Sequence, residues 1–96
     1  MTGKSERVIT NACVSVLRDA GWWVLKIHGG PYQRAGVPDV LAIRNGVAWW
    51  FEIKRPGLEP TKLQRHVMDE LRAAGCPVHV VTSAAEMWDI VKREGD

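Results

Sequence analysis

The sequence predicts an α/β fold of order αβββαβα, a mixed sheet flanked by helices, and two observations lead there. Asn45-Gly46 stands between two β-rich runs. Asn-Gly is the strongest short-range hairpin signal, a two-residue turn in which both central residues take φ > 0. A capped helical segment then separates the third strand from the fourth. A crossover of that kind lets the fourth strand join the sheet parallel, with helices on both faces.

Each element has its own signal. The first is a helix from about Ser5 to Ala20, ended by Gly21. Its apolar positions Ile9, Ala12, Cys13, Val16, Leu17 and Ala20 follow helical spacing. Glu6 lies seven residues before Cys13, which places it about 20° from the azimuth of that buried stripe at 3.6 residues per turn. Two readings fit this carboxylate: a first-turn acid satisfying the helix dipole, or a functional group directed at the sheet rather than at water. Trp22 to Ile27 is a β-rich run and reads as a strand. His28 to Gly36 is a glycine-rich loop with polar and basic side chains. Val40 to Arg44 and Val47 to Lys54 form the hairpin, with Pro38 at its start, where a missing N–H is tolerated. Arg55 to Pro60 is a break. Thr61-Lys62-Leu63-Gln64 matches a capping box and opens a helix to about Ala74, with Gly75 as its stop. Pro77 to Thr82 reads as the last strand. Ser83-Ala84-Ala85-Glu86 is a second capping box, starting a helix to about Glu94.

Composition bounds the function classes. A chain of 96 residues has room for one core, so residues 1–96 are expected to form a single domain. A hydrophobic content of 46% and a charged content of 25% are ordinary for a soluble globular protein. The net charge of +2 is too small to argue nucleic-acid binding by itself, which then needs a local patch. Cys13 and Cys76 have no ligand-spaced partner and read as buried reduced thiols of a cytoplasmic protein. No apolar run has the length of a membrane span, and the residues after Met1 do not lead into a signal-peptide core. No pair of histidines has metal spacing, so zinc is not expected.

The hairpin carries the chemistry. Its ladder sets Arg44 opposite Val47 and Ile43 opposite Ala48, and counting outward brings Asp39 opposite Glu52. Lys54 follows on the same face by strand alternation. Directly opposed carboxylates repel unless a cation lies between them. A divalent metal with an adjacent lysine supplies that cation, which is the geometry of a metal-dependent phosphodiesterase. A hard cation on Asp39 and Glu52 oxygens polarises a phosphoryl oxygen and acidifies a bound water. Neighbouring carboxylates favour the charged ammonium of Lys54, so its expected role is electrostatic rather than basic.

Arg34-Ala35-Gly36-Val37-Pro38-Asp39, Glu52-Ile53-Lys54 and Gln64 on the following helix together resemble the PD-(D/E)xK nuclease superfamily. More narrowly they resemble its VRR-NUC family (virus-type replication-repair nucleases), from Glu6 to about Ser83 in matching element order. The resemblance implies a restriction-endonuclease-like fold. It implies that Asp39 and Glu52 hold Mg²⁺, with Mn²⁺ as substitute, and that the Ile53 carbonyl is a further ligand. It implies that Lys54 is the catalytic lysine and that Glu6 and Gln64 support the site. It points to DNA repair in the cytoplasm of a bacterial or virus-infected cell.

Each of these residues also has a plainer reading. Glu-x-Lys in a strand is ordinarily a solvated, salt-bridged face, a reading that Asp39 opposes. Gln64 can simply complete the capping box with Thr61. His28 and Tyr32 read as loop polars, His66 as surface and His79 as a satisfied sheet histidine. Five tryptophans make both faces of the third strand bulky, so helices or a second subunit are expected to cover both. Trp22, Trp23 and Trp88 read as core or interface. This aromatic load, with the resemblance, predicts a homodimer whose two sites suit a two-fold substrate such as a four-way (Holliday-type) DNA junction.

The expected function is therefore a Mg²⁺- or Mn²⁺-dependent, structure-selective DNA endonuclease acting on branched DNA. Lys26, Gln33 and Arg34 are the foremost phosphate contacts, since the first strand and its loop lead into Asp39. His28, Arg55, Lys62 and Arg65 are further candidates. The alternatives are a less selective nuclease or nickase on branched or single-stranded DNA, and a non-catalytic nucleic-acid-binding module of the same fold. The intact Asp39, Glu52 and Lys54 set argues against the last.

Overall fold

Asn45 and Gly46 both take positive φ, 51° and 76°, the backbone of a type I′ turn. The turn fixes the register of everything beside it. A computed structural model of the chain describes residues 3–27 and 34–94; the His28, Tyr32 and Gln33 readings fall outside them. The described elements are α1 (Glu6–Asp19), β1 (Trp23–Lys26), β2 (Val40–Arg44), β3 (Val47–Ile53), α2 (Lys62–Ala73), β4 (Val78–Val81) and α3 (Ala84–Glu94). They run in the predicted order, a restriction-endonuclease-like arrangement.

The sheet order is β1-β2-β3-β4. The first three strands are antiparallel, and β4 joins β3 parallel through the α2 crossover. Arg44 pairs with Val47, Ile43 with Ala48 and Val40 with Phe51, so the register predicted from the turn is the one observed. Ser5 caps α1 by accepting from the Val8 N–H at 3.2 Å. Thr61 and Gln64 form the predicted capping box of α2. The box at α3 is shifted: Ser83 Oγ accepts from the Glu86 N–H, but the Glu86 carboxylate reaches back to Thr82 rather than to Ser83. Its acid therefore ties the end of β4 to α3 as well as capping the helix.

Strand alternation divides the sheet into two unlike faces. On one face α1 and α3 pack against Val40, Ala42, Phe51, Ile53 and Val81, all at most 1% exposed or fully buried, with Leu17, Cys13 and Met87 from the helices. Trp22, Trp49, Phe51 and His79 form an aromatic group here. Trp22 meets Trp49 edge-on at 5.3 Å, and His79 stacks on Trp49 at 5.7 Å and on Phe51 at 5.9 Å. His79 is thus held by ring stacking, and burial lowers its pKa. On the other face the cover is partial. Val67 and Met68 of α2 are buried outside the first cluster, and α2 contacts β4. Trp23, Leu25 and Val80 stay exposed there, and Leu41, Ile43 and Trp50 are half-buried. Helices therefore lie on both faces as expected, but α2 is too short and too far toward β4 to cover β1 and β2. Cys76 is half-buried rather than buried, because it follows the Gly75 stop at the rim; Cys13 is buried, and both thiols are free.

Candidate nuclease site

Extending the observed register one step beyond Val40 and Phe51 sets Asp39 opposite Glu52. The Asp39 backbone carbonyl accepts from the Ile27 N–H at 2.7 Å, continuing the β1–β2 ladder. Its carboxylate Oδ2 accepts from the Ile53 N–H, also at 2.7 Å. Asp39 is thus fixed to both neighbouring strands at their shared end. Pro38 before it is buried and pins the entry to β2.

Glu52 is 1% exposed, and neither of its carboxylate oxygens has a hydrogen-bond partner among the described residues. Burial pushes its pKa up to about 8; the Asp39 carboxylate adds to the rise, the Lys54 ammonium opposes it, and Glu6 adds a further push. Lys54 Nζ lies 3.6 Å from Glu52 Oε2 and is itself largely enclosed. A buried carboxylate without donors either stays protonated or takes a cation. The donor set fits a hard divalent ion. Two carboxylates suffice for Mg²⁺, which keeps several of its waters. Among the described residues no three His, Cys, Asp or Glu side chains group closely enough to hold an ion, so Glu6 is not a third close carboxylate.

Glu6 is half-buried and lines a cleft of about 350 Å³ with Arg7, Thr10, Asn11, Lys26, Ile27 and Asp39. The cleft lies between α1 and the ends of β1 and β2. Lys26 Nζ donates to Asn11 Oδ1 at 3.0 Å, which puts this ammonium on the Asp39 flank. Gln64 is half-buried, and its Oε1 accepts from the Thr61 N–H at 2.9 Å; the capping role is the one its carbonyl oxygen performs. Arg34 is paired with Glu70 of α2, and Arg65 with Glu59 at 3.2 Å. Both pairs are exposed, so each holds its arginine by no more than about 1 kcal/mol and leaves it available to a stronger anion. A larger hollow of about 560 Å³, along β4 and α3, contains neither Asp39 nor Glu52.

The sequence reading missed Arg7 and Asn11, and named Gly36 only within the motif that enters Asp39. Arg7 and Asn11 share one helix face by their i,i+4 spacing, a signal that was present but not tied to β1. Gly36 takes φ 86°, and a Cβ there would lie 2.8 Å from the Leu63 side chain. The loop entering Asp39 therefore rests directly on the first turns of α2.

Two solved structures named as VRR_NUC domains share this fold. One aligns with a TM-score of 0.79 at 24% identity, over 96% of this chain and 98% of its own. The other aligns at 0.73 and 14%, over 95% of this chain and 88% of its own. No curated protein matches the chain. The family model of the archaeal Holliday junction resolvase (Hjc) matches residues 4–76. That stretch spans α1 to the end of α2 and includes Asp39, Glu52 and Lys54, so the chain belongs to the archaeal Holliday junction resolvase (Hjc) family, of PD-(D/E)xK-type nucleases.

Proposed function

We propose that this nuclease is a divalent-metal-dependent, structure-selective DNA endonuclease that cuts four-way junctions as a two-fold homodimer, with residues 1–96 forming one nuclease domain. The observation that carries the reading is Glu52, buried, without a hydrogen-bond donor on either oxygen among the described residues, and opposite Asp39 with Lys54 Nζ at 3.6 Å. Such a carboxylate has no structural use that a glutamine or leucine would not serve better.

Asp39 and Glu52 would hold Mg²⁺ or Mn²⁺. A strand residue's N–H and C=O point to the same neighbour, so the Ile53 carbonyl lies on the Asp39 flank as a further donor. When bound, the metal supplies Lewis-acid polarisation of the scissile phosphate and a more acidic water. Lys54 orients that water or offsets the charge that builds on the phosphate oxygens. Asp39 is kept from swinging away by the Ile53 N–H. Glu6 supports the site from α1, near enough for its charge to act on Glu52, and Gln64 anchors the start of α2 beneath the loop that carries Asp39. Lys26, Gln33 and Arg34 contact backbone phosphates.

The open face of β1 to β3 supports the dimer. Trp23 is 56% exposed and Leu25 45%, and with Leu41, Ile43, Ala48 and Trp50 they form paired rows without a charge. Asp39 and Glu52 occupy the next row of the same face, so a two-fold contact here sets both sites on one composite surface.

The test is cleavage of labelled four-way junction, flap, duplex and single-stranded DNA, with and without Mg²⁺ or Mn²⁺, alongside sedimentation of the free protein. The expected result is a dimer that cuts the junction in preference to duplex of equal length, only with metal. Equal cutting of all substrates by a monomer would leave a nuclease and remove the junction-resolving reading.

A further inference from the structure

The cleft between α1 and β1 holds two cations, Arg7 and Lys26, and two acids, Glu6 and Asp39. A lysine beside two carboxylates would ordinarily be drawn onto one of them. Among the described residues Lys26 forms no such ion pair; its ammonium donates instead to the neutral Oδ1 of Asn11, one strand and one helix apart. The choice of acceptor matters. A carboxylate at residue 11 would fix the ammonium but cancel its charge. An amide oxygen fixes it, leaves the charge, and uses one of its three donors. Among the described residues the remaining two N–H groups meet no acceptor and can serve a doubly accepting anion.

The lining of the cleft suits a phosphate group. The cleft, of about 350 Å³, is lined among the described residues by polar and charged side chains with Ile27 as the one aliphatic residue. Its floor includes Asp39, so an anion at Lys26 sits next to the group that the metal would bind. Lys26 is half-buried at the end of β1, the edge strand of the sheet. A four-carbon side chain otherwise samples many positions, and ordering it opposes binding. Asn11 supplies that order in advance.

We propose that Asn11 is a positioning residue: it holds Lys26 over the α1–β1 cleft as the ligand of one DNA backbone phosphate next to the scissile one. The inference rests on the nuclease reading above. Arg7 stands four residues before Asn11 on the same helix face and flanks the same anion.

The test is a double-mutant cycle on DNA affinity. Dissociation constants of wild type, Asn11→Ala, Lys26→Ala and the double variant are measured on a labelled four-way junction in EDTA, from about 50 to 200 mM salt, with thermal melts to establish that each folds. Lys26→Ala is expected to weaken binding about tenfold and to lower the slope of log K against log salt by about 0.9, the signature of one phosphate contact. Asn11→Ala is expected to weaken binding several-fold in wild type and not at all in the Lys26→Ala background. Asn11→Asp, of the same shape, is expected to weaken binding at least as much, because it neutralises the ammonium it holds; it also serves should Asn11→Ala fail to fold. A cost of Asn11→Ala that is the same with and without Lys26, or a salt slope unchanged by Lys26→Ala, would overturn the inference and leave the nuclease intact. Wild-type protein that binds no DNA at any salt would overturn both.

Discussion

Phe51 and Glu52 are consecutive residues of β3, both buried, and they do opposite things. Phe51 faces α1 and α3, is fully buried, and stacks with Trp49 and His79. Glu52 faces away, is equally hidden, and among the described residues has no hydrogen-bond partner, only the Lys54 ammonium at 3.6 Å. Among the described residues the covered face satisfies every side chain it buries apart from the Trp22 Nε1, and it stabilises the fold through burial of apolar area. The other face holds a carboxylate that burial penalises, beside a second carboxylate and an uncovered apolar surface. One strand therefore sets Phe51 and Ile53 into the core under α1 and α3 and holds Glu52 on the opposite face.

Swapping the roles of these neighbours is the largest expected effect. Glu52→Gln or Asp39→Ala should lower cleavage by at least about 10³-fold, as expected when charge stabilisation at the reacting phosphate is removed. With Glu52→Gln the metal-free fold should melt no lower than wild type, because a carboxylate that burial penalises is gone, whereas Asp39→Ala also removes the acceptor of the Ile53 N–H and should melt lower than Glu52→Gln. Phe51→Ala should do the reverse at the level of folding, costing about 3–5 kcal/mol in denaturant titration. Full activity in Glu52→Gln would remove the assignment of this face to chemistry.

The two faces should also respond to pH with opposite sign. Glu52 has its folded pKa raised to about 8. Its contribution is fully present below the unfolded value, near 4.5, and is lost as pH rises through 8. His79 has its folded pKa lowered by burial, with Arg93 adding to the shift. Its contribution is present above the unfolded value, about 6.5, and is lost as pH falls below it. Metal-free protein should thus lose melting temperature along an alkaline limb from about pH 6.5 to 8, while between pH 5 and 6.5 the two contributions oppose each other. Glu52→Gln should flatten the alkaline limb and uncover a fall toward pH 5, and His79→Phe should extend the rise in melting temperature toward pH 5. Saturating Mg²⁺ should flatten the alkaline limb in wild type.

Gly36 joins the site to its support. Gly36→Ala meets both a left-handed φ of 86° and Leu63 at 2.8 Å, so it should cost about 1–3 kcal/mol and lower cleavage by moving the Asp39 loop from α2. An unchanged melt would show that α2 gives way freely. The smallest folding effect is expected on the open face. Trp23→Lys with Leu25→Glu should change monomer stability by no more than about 1 kcal/mol for the two surface changes while dissociating the dimer in sedimentation. A dimer that survives both would place the contact elsewhere.

The sequence by itself determined whatever depends on neighbours along the chain. Asn45-Gly46 admits one kind of turn, the turn sets the register, and a period of two then puts Asp39 opposite Glu52 with Lys54 beyond. Thr61 and Gln64 likewise announce their cap, because both partners lie within one helical turn. The tertiary structure decided what depends on distant segments meeting. Alternation says that Glu52 and Phe51 face apart, but not which face α1 and α3 cover, nor that α2 stops short of β1 and β2. Only packing shows that Glu52 is buried without a donor, that Gly36 rests on Leu63, or that Asn11 meets Lys26 across 15 residues. Local sterics are written in adjacent residues, whereas burial is a sum over the whole chain, and no short window of sequence contains it.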